Sequence, residues 1–170
     1  MSSDTIVRVD PPMSGPEKEM LKAFLDYHRA TLLQKLSGVS EEDVKRQALP
    51  PSNLSLLALV KHLSWVEHGW FQWRFKGEEW VFPWSEADPD PDFRIEPDET
   101  AAGIIAIYQA EVEKSRQIIE AASLDDLAVR PKEGKPFTLR WIMLHLIEDT
   151  ARHNGHADLL REAIDGVTGE

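Results

Sequence analysis

From Thr138 to Arg161 the chain reads TLRWIMLHLIEDTARHNGHADLLR, with polar chemistry where a helix would place its core. At about 100° of rotation per residue, Trp141, Ile142, His145, Asp149, Arg152, His153, His156, Leu159, Leu160 and Ala163 fall on one side. Both ends of that stripe are apolar, whereas its middle carries histidine, aspartate and histidine at successive four-residue steps. An ordinary amphipathic helix puts leucine or valine at such positions, because an enclosed imidazole or carboxylate needs a partner for its polar atoms. A bound metal is the sharpest candidate. A hydrogen-bonded core network or a helix-surface ion pair is the plainer alternative.

A second stripe supplies the missing side of such a site. From Ser55 to Gly77 the residues Leu56, Leu59, His62, Leu63, Val66, Trp70 and Trp73 recur at helical spacing, and His62 sits within the apolar face. His68 falls well off that face, which predicts a surface position and no role. His62, Asp149 and His153 together offer two nitrogens and one carboxylate oxygen, a donor set that suits Zn²⁺ first, and also Ni²⁺ or Fe²⁺. Three protein ligands leave positions open for water or substrate. His145 and His156, each near Asp149 on the stripe, are alternate ligands or could orient a ligand from outside. Glu148 is displaced by one position from the stripe and ranks below Asp149. Arg152, beside the stripe, is a candidate for holding a carboxylate of substrate or cosubstrate. His28 also lies on an apolar stripe, and a satisfied core histidine is its plainer reading.

These two segments are positioned by the rest of an all-α chain. Ser14-Gly15-Pro16-Glu17 has capping-box spacing, and apolar residues then recur from Leu21 to Leu36, so a first long helix runs to Gly38. Ser40 opens a short connecting helix that Pro50-Pro51 ends. After the second long helix, Glu78 to Pro97 is acidic and Pro-rich, and reads as a long irregular connection carrying Trp80 and Trp84. A connection of this length can cross the bundle end and let the next helix run parallel to the last. Asp98 is the expected N-cap of a third long helix through Ala122, and Thr138 that of a fourth, which Gly166 ends. The reading is a four-helix bundle forming one domain over residues 1–170, with its core between 14 and 166.

Composition narrows the partners. Lys and Arg total 19 against 30 Asp and Glu, a net charge of −11 that repels nucleic acid and anionic membranes. No cysteine is present, so disulfides, cysteine-ligated zinc and a protein thiol nucleophile are excluded. Any thiol chemistry must use an external thiol. The first dozen residues lack a signal peptide's pattern, and no apolar run reaches the ~18 residues of a membrane span, so a soluble cytoplasmic protein is expected. The chain holds 6 tryptophans. Most coincide with apolar helix positions, whereas Trp80 and Trp84 could line a pocket or a dimer contact.

The blocks PSNLSLLALVKHLSWVEHGWF and TLRWIMLHLIEDTARHNGHADLLREAIDG, taken together, resemble the DinB-like superfamily, specifically its uncharacterised branch common in actinobacteria. The similarity spans Pro16 to Gly166. It implies a DinB-like four-helix bundle with a long crossed connection between helices two and three, often dimeric. It also implies a divalent metal held by a helix-two histidine, which maps onto His62, and by a pair on helix four. The last family histidine maps onto His153, followed here by Asn154-Gly155-His156. The ligand four residues earlier is often histidine and sometimes glutamate in relatives such as the mycothiol-dependent maleylpyruvate isomerase, and this chain has Asp149.

Fold resemblance does not select among the activities of such relatives. The leading expectation is a metal-dependent enzyme, a thiol transferase, isomerase or hydrolase. Its open coordination position would activate mycothiol, another small thiol or water for attack on a small electrophile. The alternative is a non-catalytic stress-response protein that binds a metal or ligand. A homodimer is expected from the resemblance.

Overall fold

Serine and threonine side chains set where most of the helices begin. Ser40, Ser55, Thr100 and Thr138 each accept a hydrogen bond from the backbone N–H three residues on, which satisfies a donor that the helix itself leaves unpaired. The computed structural model describes residues 6–169. Residues 1–5, part of the stretch read above for a signal peptide, lie outside the described residues. The elements are α1 (Glu17–Leu36), α2 (Glu41–Lys45), α3 (Leu56–Glu67), a π-helix (His68–Phe75) that continues α3, a 3₁₀ turn (Pro91–Phe93), α4 (Ala101–Ala121) and α5 (Leu139–Asp165). Among the described residues there is no β-strand, only the isolated bridges Leu127–Thr138 and Lys132–Lys135.

Two expected helix starts move. Pro16, not Ser14, precedes α1 and offers no side-chain cap. Glu17 is unavailable to complete a capping box because its carboxylate receives Arg140 Nε at 2.7 Å. Thr100 rather than Asp98 caps α4, and the Ala101 N–H beside it is held by the Glu41 carboxylate at 3.0 Å. The expected ends of α5 hold: Gly166 takes the left-handed conformation with φ 79°, and its N–H bonds the Glu162 carbonyl. The second long helix, read as α-helical to Gly77, changes at His68 to i→i−5 hydrogen bonding, such as Lys76 N–H to the Phe71 carbonyl at 3.0 Å.

The core falls into two halves, and their membership gives the helix directions. One half joins Leu32 and Leu36 from the end of α1, Leu56 to Leu63 from α3, Ile104 and Tyr108 from early α4, and Leu160 from late α5. The other joins Leu25, Phe71, Phe75, Ile119 from late α4 and Leu139 to Leu146 from early α5. Helices α3 and α4 therefore run parallel, and α1 and α5 run parallel to each other and opposite to that pair. Ion pairs Lys61–Glu99, Arg140–Glu17 and Lys35–Asp158 link the elements that these two halves bring together. The long connection between α3 and α4 thus returns the chain along the full length of α3, the crossed arrangement expected from its length.

Helix α3 is the most enclosed element. Leu56, Leu57, Leu59 and Leu63 are fully buried, each contributing about 1.5–3 kcal/mol by leaving water. A helix covered on so many sides cannot leave its polar side chains to solvent. His62 and Glu67 must find partners on α1, α5 or the crossing connection.

Candidate metal centre

His62 on α3 meets Asp149 and His153 on α5, and one donor atom from each lies within 4.8 Å of the others. Asp149 and His153 are one turn apart and project together because residues i and i+4 share a helix face. In a tetrahedral zinc site with ligands at 2.0–2.2 Å, donor atoms stand about 3.4 Å apart. The separation between His153 Nε2 and Asp149 Oδ1, 3.6 Å, is too long for a hydrogen bond, so the two do not satisfy each other.

The protonation of His153 and the orientation of His62 suit a ligand role. Burial, then the neighbouring His62, lower the His153 pKa to about 4 against the opposing pull of Asp149. His153 is thus a neutral imidazole with a lone pair at neutral pH. His62 Nδ1 lies 2.6 Å from Asp92 Oδ2, which leaves Nε2 as its ligating nitrogen. Asp92 is buried on the 3₁₀ turn, and the next residue, Phe93, stacks on the His62 ring with centroids 4.1 Å apart and planes at 16°. A carboxylate behind a histidine in this way fixes its tautomer and raises its basicity toward a metal. Two imidazoles and one carboxylate are a donor set that fits zinc, nickel or iron.

The other residues singled out in the sequence stand around this cluster. His156 Nδ1 faces His153 Nδ1 at 3.3 Å, so it contacts a candidate ligand from outside. His145 is apart, packed on the rings of Trp141 and Trp70 and 3.6 Å from the Glu148 carboxylate. Glu148 pairs with Arg152, whose side chain is 63% exposed. His28 is held through its carbonyl by Asn154 Nδ2 at 3.0 Å. His68 is not on the surface: α4 lies along that face of α3, and His68 Nδ1 sits 3.0 Å from a carboxylate oxygen of Glu111 that Gln72 also binds.

Sequence reasoning missed Asp92, Phe93 and Glu111. Asp92 is 30 positions from His62 within an acidic tract, where Asp90 also follows a proline and nothing local set Asp92 apart. The same connection returns Trp80, Phe82 and Trp84 beside α3. They help to wall a cavity of about 310 Å³ that His62 and Asp92 also line.

An all-helical fold with a His–Asp–His cluster between two of its helices, open to an aromatic cavity, defines a class of helical proteins equipped for a metal. The chain belongs to the mycothiol-S-transferase family, whose model matches residues 20–166. No curated protein matches the sequence. Among the described residues, no helix is long and apolar enough to cross a membrane.

Proposed function

We propose that the protein is a metal-dependent S-transferase in which His62, Asp149 and His153 hold one divalent ion, zinc first, nickel or iron otherwise. The convergence of two imidazoles and a carboxylate, one imidazole backed by Asp92, carries this reading. A metal bound there lowers the pKa of a thiol or water that reaches an open coordination position. A cysteine-free chain must take its thiol from outside, and the family name points to mycothiol as cosubstrate. In the transfer, the thiol sulfur bonds to an electrophilic carbon of a small substrate, and the leaving group departs with the bonding pair. The thiol proton is released with it. Asp92 holds His62 in one tautomer, Phe93 fixes its ring plane, and His153 stays neutral.

The protein acts as a cytoplasmic homodimer without nucleic acid or membrane partners. Trp141 and Leu144, about half exposed on α5, offer apolar surface for such a contact. Arg152 remains available to a substrate carboxylate because its partner Glu148 is itself exposed.

Elemental analysis tests the centre: about one divalent ion per chain is expected in wild type and is lost in both His62→Ala and His153→Ala. In Co²⁺-substituted protein, mycothiol should perturb the visible spectrum. Retention of wild-type metal in both variants would remove the proposed ligand set. Metal without thiol perturbation or transfer, over a broad panel of electrophiles, favours a protein that binds rather than catalyses.

A further inference from the structure

The cavity beside His62 is built from aromatic side chains in a way that core packing does not require. Trp65 and Trp73 line it from the α3 rod, and Trp80, Phe82 and Trp84 line it from the crossing connection. The rings touch one another, Trp80 lying 5.5 Å from Trp65, 4.6 Å from Phe82 and 5.4 Å from Trp84 between centroids. They nevertheless enclose a hollow, and Phe82 and Trp84 remain 41% and 39% exposed. Gly69 keeps this wall open: a Cβ at that position would lie 3.2 Å from the Trp80 ring.

Three side chains lining the cavity can carry charge: His62, Asp92 and Arg74. Asp92 is committed to His62. Arg74 has no carboxylate partner among the described residues. Its guanidinium lies 5.0 and 4.9 Å from the ring centroids of Trp70 and Trp73, and Nη1 makes only long bonds, 3.3 and 3.4 Å, to the carbonyls of Arg130 and Pro131. Burial lowers the Arg74 pKa, the mark of a cation with no counter-ion. Aromatic boxes often receive cations. Here a cation would face Arg74, so the free charge in the cavity favours an anion. A guanidinium binds a carboxylate with paired hydrogen bonds, and a flat conjugated body suits the tryptophan walls. At about 310 Å³ the space accepts a small molecule of one or two rings. A larger cleft of about 890 Å³ is lined by Lys45 and Arg94, but these are already paired with Glu41, Asp88 and Glu96.

We infer that this cavity is the electrophile site and that the electrophile is a planar aromatic or conjugated carboxylic acid. Its ring lies among Trp65, Trp73 and Trp80, and its carboxylate lies on Arg74. The role as electrophile site rests on the S-transferase reading, whereas the binding chemistry is measurable without turnover.

Calorimetric titration of the zinc-loaded protein with cinnamate, cinnamyl alcohol and cinnamyltrimethylammonium tests it. Cinnamate should bind at least about tenfold more tightly than the alcohol, the scale of one charge-assisted hydrogen bond, and the ammonium compound least. Arg74→Gln should erase the preference for the acid over the alcohol while leaving metal content unchanged. Gly69→Leu, which fills the cavity, should abolish binding of both. Absence of cinnamate binding, preference for the ammonium probe, or an acid preference that survives in Arg74→Gln overturns the inference. Displacement of cinnamate by mycothiol in simple competition overturns it too, since the cavity would then be the thiol's. Selective acid binding with no S-transfer to any electrophile leaves the cavity chemistry standing and removes the transferase reading alone.

Discussion

Two polar clusters lie against α3 little more than a turn apart, and they are finished differently. Glu67 is buried against Arg29 of α1, which binds both its oxygens at 2.7 Å and reaches Asp26 at 2.9 Å with its remaining arm. Burial alone would lower the Arg29 pKa, but the Glu67 carboxylate outweighs it and the pKa is raised. Every strong hydrogen-bonding group of that pair is used within the chain. His62, Asp149 and His153 instead converge without bonding one another, and the supporting contacts come from behind, through Asp92 and His156. A self-satisfied pair ties helices together, whereas a set of lone pairs aimed at a common point is completed by something from outside. The same helix thus carries a structural pair and a ligand site, and the hydrogen-bond inventory tells them apart.

The comparison breaks most readily at the closed pair. Glu67→Leu should cost about 3–5 kcal/mol in urea unfolding because it strands the buried Arg29 charge. The double variant Arg29→Met/Glu67→Leu should regain much of that loss. A single-variant cost under about 1 kcal/mol would mean that water reaches the pair. At the open cluster the effect moves from folding to affinity. Asp92→Asn should weaken metal binding about 10–100-fold in chelator competition, while metal-free stability changes by less than about 1 kcal/mol. Equal metal affinity in variant and wild type would demote Asp92 to a loop anchor.

The smallest effect belongs to His28, which lies between the two clusters as neighbour of Arg29 and partner of Asn154. Burial lowers its pKa from 6.5. Its charged form is disfavoured in the folded state, so its contribution to stability is full above about pH 6.5 and is lost as pH falls through the lowered folded value. His28→Gln should flatten the stability slope of the metal-free protein in that window. An unchanged slope would assign the acid sensitivity elsewhere.

What the sequence revealed was local or periodic. Ser40, Thr138 and Gly166 could be placed because a cap depends on a few adjacent residues, and His62, Asp149 and His153 because a polar break in an apolar stripe is visible at helical spacing. Asp92 and Glu67 were not visible as partners of His62 and Arg29, since such pairing depends on which helices become neighbours. His68 was misplaced for the same reason: α4 covers a face that the pattern of α3 alone leaves open. The π-helix also escaped, because HGWFQWRF carries the residue types of an ordinary α-helical end and the change lies in which carbonyl each N–H chooses.

The parallel course of α3 and α4 has a consequence in contour length. The α3 rod with its π-helical end spans residues 56–75, about 30 Å at 1.5 Å per residue. An extended return strand covers that distance in about nine residues at 3.3–3.6 Å each. The chain uses every residue from 76 to 100 for the journey. More than half of that segment is slack as far as reach is concerned, and the slack carries Trp80, Phe82, Trp84 and Asp92 to the cavity and the histidine. Reach therefore leaves Glu86 and Ala87 free to shorten, whereas the aromatic segment before them, Asp88 with its pairing to Arg94, and the Asp92 turn are held in place by what they touch.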